Sequence, residues 1–469
     1  MDERQQKSFI LLFPSSRKSH DDLSNKMTAK QNPHPGHLKS IVLSIAVTLI
    51  VAGMVAGSTT LPGYCNFSPE QGPNIIPQPK IDASQKPELS MVVTVIRHGD
   101  RVMANDVQCW PGDNAVFNCS LNAIGVPSTL SASTTHNTID SPSVLYSTSF
   151  IRGRNFINGN CNVGELTLKG GTQQIANGEM LRKVYVLPES GPKNVTQFLP
   201  LTFNSSLMYI RSDFEGRTIQ SAQSLMLGFF PPSNEHIEKG KTQIRNLVSM
   251  DPYYDDMTPN TNLCPLLGTY MSQYTMTADY QEVYNTKIVP LMSTLSSYLN
   301  RPVNSMSDIN TLYDCFNVHL CHNQPIPVPI NIYQEVVDAY SWNKMEEYNY
   351  PTAQKFAQAG IGFLLQEIAN LFEDTMNRKQ STTFALISGH DTTLVPILTA
   401  LGVWDGVWTP YASMINFELY YYHTSGEYYV RVLYNSSEIN LPAPCSSVLC
   451  PATIFFKQFL PALFPTSCV

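Results

Sequence analysis

Hydrophobic positions along the chain fall into two periods. Short continuous runs of apolar and β-branched residues, Met91–Ile96, Leu207–Ile210 and Phe384–Ile387, read as buried strands. Phe417–Tyr422 and Tyr428–Leu433 read as a late β pair across Thr424-Ser425-Gly426. Gly164–Val186 places Leu168, Ile175, Met180 and Leu181 at helical spacing. A second helix runs from about Glu215 to Gly228, and Pro231-Pro232 stops it. Residues 103–160 look loop-like, with Ser, Thr and Asn dominating 128–149. From about 236 to 372 the pattern is mostly helical, amphipathic and broken by prolines, as expected of an inserted cap. Strands alternating with helices, plus one helical insert, predict an α/β sandwich that carries a lid.

The polar positions sharpen this picture, because three strands end in unusual clusters. Met91–Ile96 runs into Arg97-His98-Gly99-Asp100-Arg101. Leu207–Ile210 runs into Arg211-Ser212-Asp213-Phe214-Glu215-Gly216-Arg217-Thr218, and Phe384–Ile387 into Ser388-Gly389-His390-Asp391-Thr392-Thr393. Ligands of open α/β sheets bind at carboxyl strand ends. A strand leading through a small turn into a helix aims backbone N–H groups at an anion. Guanidiniums beside an imidazole suit a phosphate, and a neutral imidazole can attack phosphorus. Arg211 is expected to be structural, pairing with a carboxylate. Asp100 is expected to orient its loop or face solvent. Asp391 can be read as a helix cap as well as a chemical group. Glu165 and Glu215 are rim candidates that nothing local decides.

The chain start adds a membrane expectation. Ile41 to Gly57 is an uncharged, mostly apolar run of 17 residues, at the short end of what spans a bilayer. Seven Lys/Arg against four Asp/Glu in the first 39 residues put that side in the cytoplasm. The expected layout is a cytoplasmic tail (1–39), a signal anchor (40–57), a proline-rich stem (58–88) and a luminal or extracellular domain (89–469). A cleaved signal peptide and a soluble helix are the competing readings. A net charge of −7 and a pI near 5.8 argue against a general nucleic-acid binder. All ten cysteines follow the apolar run, which fits disulfides in an oxidising compartment. Asn66, Asn118, Asn194, Asn204 and Asn435 sit in glycosylation sequons. Cys315, His319, Cys321 and His322 are crowded, but their spacing is not that of paired zinc knuckles, and disulfide bonding is favoured.

The three clusters, with Gly164-Glu165-Leu166-Thr167, Ser221-Ala222-Gln223, Gly228-Phe229-Phe230-Pro231-Pro232 and Tyr411-Ala412-Ser413, resemble the histidine acid phosphatases of the phosphoglycerate-mutase-like superfamily. The resemblance runs from about Leu89 to Cys468. It implies a three-layer α/β/α sandwich with an inserted, mainly helical cap, and a phosphomonoesterase working through a phosphohistidine without metal or organic cofactor. Carried over residue by residue, His98 would be the nucleophile and Asp391 the proton donor. Arg97, Arg101, Arg217 and His390 would hold the phosphoryl oxygens. Tyr64-Cys65-Asn66, Asn177-Gly178, Leu320-Cys321-His322-Asn323 and Val430–Asn435 are most similar to the Golgi 2-phosphoxylose phosphatase type, which implies xylose 2-phosphate in a glycosaminoglycan linker as substrate. A broad-specificity lysosomal or cell-surface acid phosphatase and a catalytically silent phosphatase-fold binding protein are the alternatives. By resemblance Cys264 would join Cys468, and Cys445 would join Cys450. Met414 stands where secreted acid phosphatases often have a cysteine, so Cys315 is expected to pair elsewhere, with Cys321 as its candidate. Met103 replaces the family's usual proline.

Overall fold

The computed structural model describes residues 63–65, 76–77, 83–104, 108–119, 156–187, 198–231, 245–466 and 468. The apolar run at 41–57 and most of the stem lie outside them, as do Asn66 and Asn194. Among the described residues, no helix is long and apolar enough to cross a membrane.

Strand β1 (Pro87–Arg97) is buried on both faces from Met91 onward, as a continuous apolar run requires. The other strands of its sheet are β2 (Met208–Ser212), β3 (Phe384–Gly389), β4 (Met414–Tyr422), β5 (Glu427–Tyr434), β6 (Ser437–Glu438) and β7 (Leu449–Pro451). They form one sheet in the order β2-β3-β1-β4-β5-β6, with β7 also on β5. β1 and β2 both run parallel to β3, and β4 is antiparallel to β1. The register pairs Arg97 with Gly389 and Ser212 with Ser388. The three polar clusters therefore leave the sheet side by side, at one edge. β1 begins earlier than its apolar run because Pro87 to Leu89 pair with Tyr422 to Tyr420.

Helices α1 (Leu168–Tyr185) and α2 (Gly216–Phe229) cover one face, packing Met180, Leu181, Leu225 and Phe229 on Val92 and Ile96. Their approach is close: a Cβ on Gly178 would stand 2.0 Å from the Leu225 carbonyl oxygen. α1 begins at Leu168, later than its apolar spacing indicates, because Thr167 is extended and its hydroxyl caps the Gly170 N–H at 3.1 Å. The cap contains α3 (Met306–Cys321) and α4 (Ile330–Tyr348) around Leu295, Leu312, Phe316 and Val336. α5 (Gly362–Met376) and α6 (Asp391–Ala400) cover the other face, with Leu364, Leu365, Ile368 and Leu394 on Met91, Val93 and Val95. The result is the three-layer sandwich. α5 belongs to that sandwich, so the cap ends before residue 362, ten residues short of the sequence-based boundary.

All ten cysteines are bonded: Cys65–Cys321, Cys109–Cys315, Cys119–Cys161, Cys264–Cys468 and Cys445–Cys450. The last two bonds match the expectation; a Cys315–Cys321 bond does not form. Both residues lie on α3, where six positions advance the chain by about 9 Å, beyond disulfide reach. Asn118 and Asn204 are exposed. Asn435, by contrast, spends its amide on Ser413 Oγ and the Met414 N–H.

Candidate active site

The turn after β1 is fixed by its neighbours. The His98 N–H donates to the Gly389 carbonyl at 2.9 Å, and the Gly99 N–H donates to Ser221 Oγ at 3.1 Å. A Cβ on Gly99 would meet the Gly170 carbonyl oxygen at 2.2 Å, so only glycine lets α1 begin so close to the turn. Asp100 is buried, accepts from Thr167 Oγ1 at 2.6 Å and contacts His322 Nε2 at 2.7 Å. It orients the loop and does not enter the cavity.

His98 is 1 % exposed. Its Nδ1 lies 2.8 Å from the Gly99 carbonyl oxygen. A carbonyl can only accept, so Nδ1 carries the proton and Nε2 keeps its lone pair. Burial, then Arg217, Arg97, His390 and Arg101, push the imidazole well below its usual pKa. The neutral ring is therefore favoured over the imidazolium.

A cavity of about 400 Å³ opens over this ring, lined by His98, Arg101, Arg217, His390 and Asp391 together with Asp213, Phe214, Glu215, Pro252, Asp255, Thr258 and Thr392. Arg101 is held by Asp314 of α3 at 2.8 and 3.1 Å, and Arg217 pairs with Glu215. His390 packs edge-on to His98 at 5.4 Å and directs Nε2 at Asp213. The Nε atoms of Arg97, Arg101 and Arg217 are buried without a hydrogen-bond partner. Five of the six predicted site residues thus share one wall.

The sixth, Arg97, lies behind that wall. It is fully buried and does not line the cavity. Its Nη1 donates to the Thr409 carbonyl at 2.5 Å, and its Nη2 reaches Tyr64 Oη at 2.5 Å and Asp391 Oδ2 at 2.7 Å. Burial alone would raise the Asp391 carboxyl; Arg97, Arg101, the Trp408 indole at 3.0 Å and His390 outweigh it and hold it well below the usual carboxylate range. Asp391 is the first residue of α6, whose N-cap is His390, so the expectation of Asp391 as the cap does not hold; its carboxylate lines the cavity instead.

Arg211 stays out of the cavity, bound to Asp256 and Glu367, as expected of a structural arginine. Glu165 caps its own turn through the Asn162 N–H at 2.7 Å. The sulfurs of Cys315 and Cys321 are in disulfides, while His319 bridges the Cys315 carbonyl and Asp113 at 2.8 and 2.9 Å. Sequence reasoning did not single out Asp255, Asp314, Trp408 or the partner role of Tyr64. They come from the cap, a late loop and the stem, where no local pattern marks them. Asp213 was within reach, since it sits in the second motif.

The family model described as "Histidine phosphatase superfamily (branch 2)" matches residues 88–435. The chain belongs to this superfamily. This histidine phosphatase is similar to counting factor 60 of Dictyostelium discoideum, at 28% identity over 90% of this chain and 96% of that protein. It is also similar to human 2-phosphoxylose phosphatase 1, at 25% identity over 60% of this chain and 56% of that protein. Mouse lysophosphatidic acid phosphatase type 6 shares 27% identity over 79% and 84%. Among solved structures, the apo form of Hafnia alvei phytase aligns with a TM-score of 0.52 and 14% identity, over 81% of this chain and 98% of that one. The fold is thus shared with phytases, and the histidine phosphatase is a phosphomonoesterase.

Proposed function

We propose that His98 Nε2 attacks the phosphorus of a phosphomonoester, forming an N–P bond as the ester P–O bond breaks. Arg101, Arg217 and His390 hold the phosphoryl oxygens; Arg97 acts from behind, through Asp391. Asp391 gives its proton to the leaving alkoxide, then takes one from the water that hydrolyses the phosphohistidine. The observation that carries this reading is the His98 tautomer, a proton fixed on Nδ1 with Nε2 free in a cavity walled by two guanidiniums. Charge redistributing on the phosphoryl oxygens would meet donors already in place.

Asp391 is ionised in the free enzyme, since Arg97 holds it. A bound phosphate dianion adds negative charge beside it and draws on the same arginines. Both effects raise its proton affinity, so the acid is loaded only when substrate is present.

The same cavity is also lined by Asp213, Glu215 and Asp255. A second phosphate on the substrate would meet these carboxylates, which favours a monoester of an uncharged alcohol. A phosphorylated xylose in a glycosaminoglycan linker fits that requirement, and similarity to 2-phosphoxylose phosphatase 1 supports it. The second reading is a broad-specificity phosphatase, which the mixed set of relatives favours. Five disulfides support a luminal or extracellular site of action, with anchoring through residues 40–57.

Hydrolysis of an aryl phosphate by the wild type, lost in His98→Ala, is the expected result; equal turnover in the variant rejects the nucleophile. Phosphoxylosylated linker should be preferred over simple esters, and indifference between them selects the broad enzyme.

A further inference from the structure

Tyr64 belongs to the stem and precedes the family-matched region at 88–435, yet its side chain lies inside the catalytic layer. Three ties hold the segment. Cys65 is bonded to Cys321 at the end of α3, Gln173 Nε2 donates to the Cys65 carbonyl at 2.9 Å, and the Tyr411 N–H donates to the Tyr64 carbonyl at 3.0 Å. The ring packs edge-on to Tyr411 and Tyr313, with the Arg97 guanidinium carbon 4.7 Å from its centroid.

Arg97 Nη2 has two hydrogens, and its two close acceptors are Tyr64 Oη and Asp391 Oδ2. One Nη1 hydrogen goes to the Thr409 carbonyl, and Nε has no partner. With one Nη2 hydrogen on the phenol and one Nη1 hydrogen on the Thr409 carbonyl, the guanidinium plane is pinned so that Asp391 receives one bond rather than a two-pronged Nε/Nη2 grip. We propose that Tyr64 is a positioning residue. By pinning the guanidinium plane it keeps the unpartnered Nε away from Asp391, so the acid can be protonated when substrate binds. The stem is then part of the catalytic apparatus, stapled to the cap by Cys65–Cys321. This rests on the reading of Asp391 as the proton donor.

The sign follows. Without the phenol oxygen the guanidinium plane can swing so that Nε and Nη2 both face Asp391, and the acid becomes harder to protonate. A poor leaving group needs the acid; an activated aryl oxide does not. In full-length Tyr64→Phe, kcat for an alkyl phosphate should fall about tenfold, the size of one hydrogen bond. kcat for a dinitrophenyl phosphate should change less than twofold. The alkaline limb of the alkyl profile should move to lower pH. A Cys65→Ser/Cys321→Ser double variant should reproduce the selective loss. An equal fall for both esters, or none for either, overturns the proposal. Asp391→Asn measured alongside separates the two ideas: if it also fails to discriminate the esters, the proton-donor reading falls; if it discriminates and Tyr64→Phe does not, only the role of Tyr64 falls.

Discussion

His98 keeps its proton on Nδ1 because the Gly99 carbonyl can do nothing but accept it. Burial and the surrounding cations lower its proton affinity, which favours the neutral, nucleophilic ring. Imidazole NMR should show His98 taking up its proton at lower pH than a free imidazole does. Arg217 faces the cavity and has a buried, unpartnered Nε. Its replacement by alanine should lower kcat on the order of 10²–10³-fold, as loss of a transition-state donor does, with a smaller change in KM. Asp391 binds protons more weakly in the free fold than in an unfolded chain. A bound dianion should reverse this, so binding of sulfate, already dianionic near pH 5, should take up protons from solvent. Calorimetry in buffers of different ionisation enthalpy measures that uptake, and Asp391→Asn should abolish it. The residues behind these expectations were legible as three strand-end clusters, because each cluster is local in sequence. Arg97 was legible as a site residue but not in its position, since only the fold reveals that Tyr64, Thr409 and Asp391 enclose it.

At the level of elements, β1, β2 and β3 matter because their parallel register sets three loops side by side. Strand identity was readable from continuous apolar runs; the extension of β1 to Pro87 was not, because it is imposed by pairing with β4. The contact of α1 with α2 leaves no room for a side chain at Gly228, where a Cβ would stand 2.1 Å from the Ile175 carbonyl oxygen. Gly228→Val should therefore force the two helices apart and cost about 1–3 kcal/mol, seen as a lowered Tm. Arg211 ties β2 to the cap entry and α5 through Asp256 and Glu367. Arg211→Met leaves two carboxylates unpaired, and about 3 kcal/mol of stability should be lost in denaturant titration.

Across the whole molecule, long-range bonds join the parts that sequence reading kept separate. Cys109–Cys315 ties the loop after the first motif to α3, Cys65–Cys321 ties the stem to the same helix, and Cys264–Cys468 ties the cap entry to the chain end. Spacing could not reveal the first two, because their partners lie more than 200 residues apart. Each such closure is worth about 2–5 kcal/mol, so protein made in a reducing cytosol should fold poorly while oxidised protein should be active; an activity assay on both preparations checks this. The Trp408 indole donates to Asp391 at 3.0 Å inside an aromatic cluster, edge-on to Tyr340 and Trp404 and stacked with Tyr348. With four tryptophans in the chain, that indole is a built-in optical gauge. Its emission should shift when a ligand changes the charge on its acceptor, reporting occupancy in real time without a label.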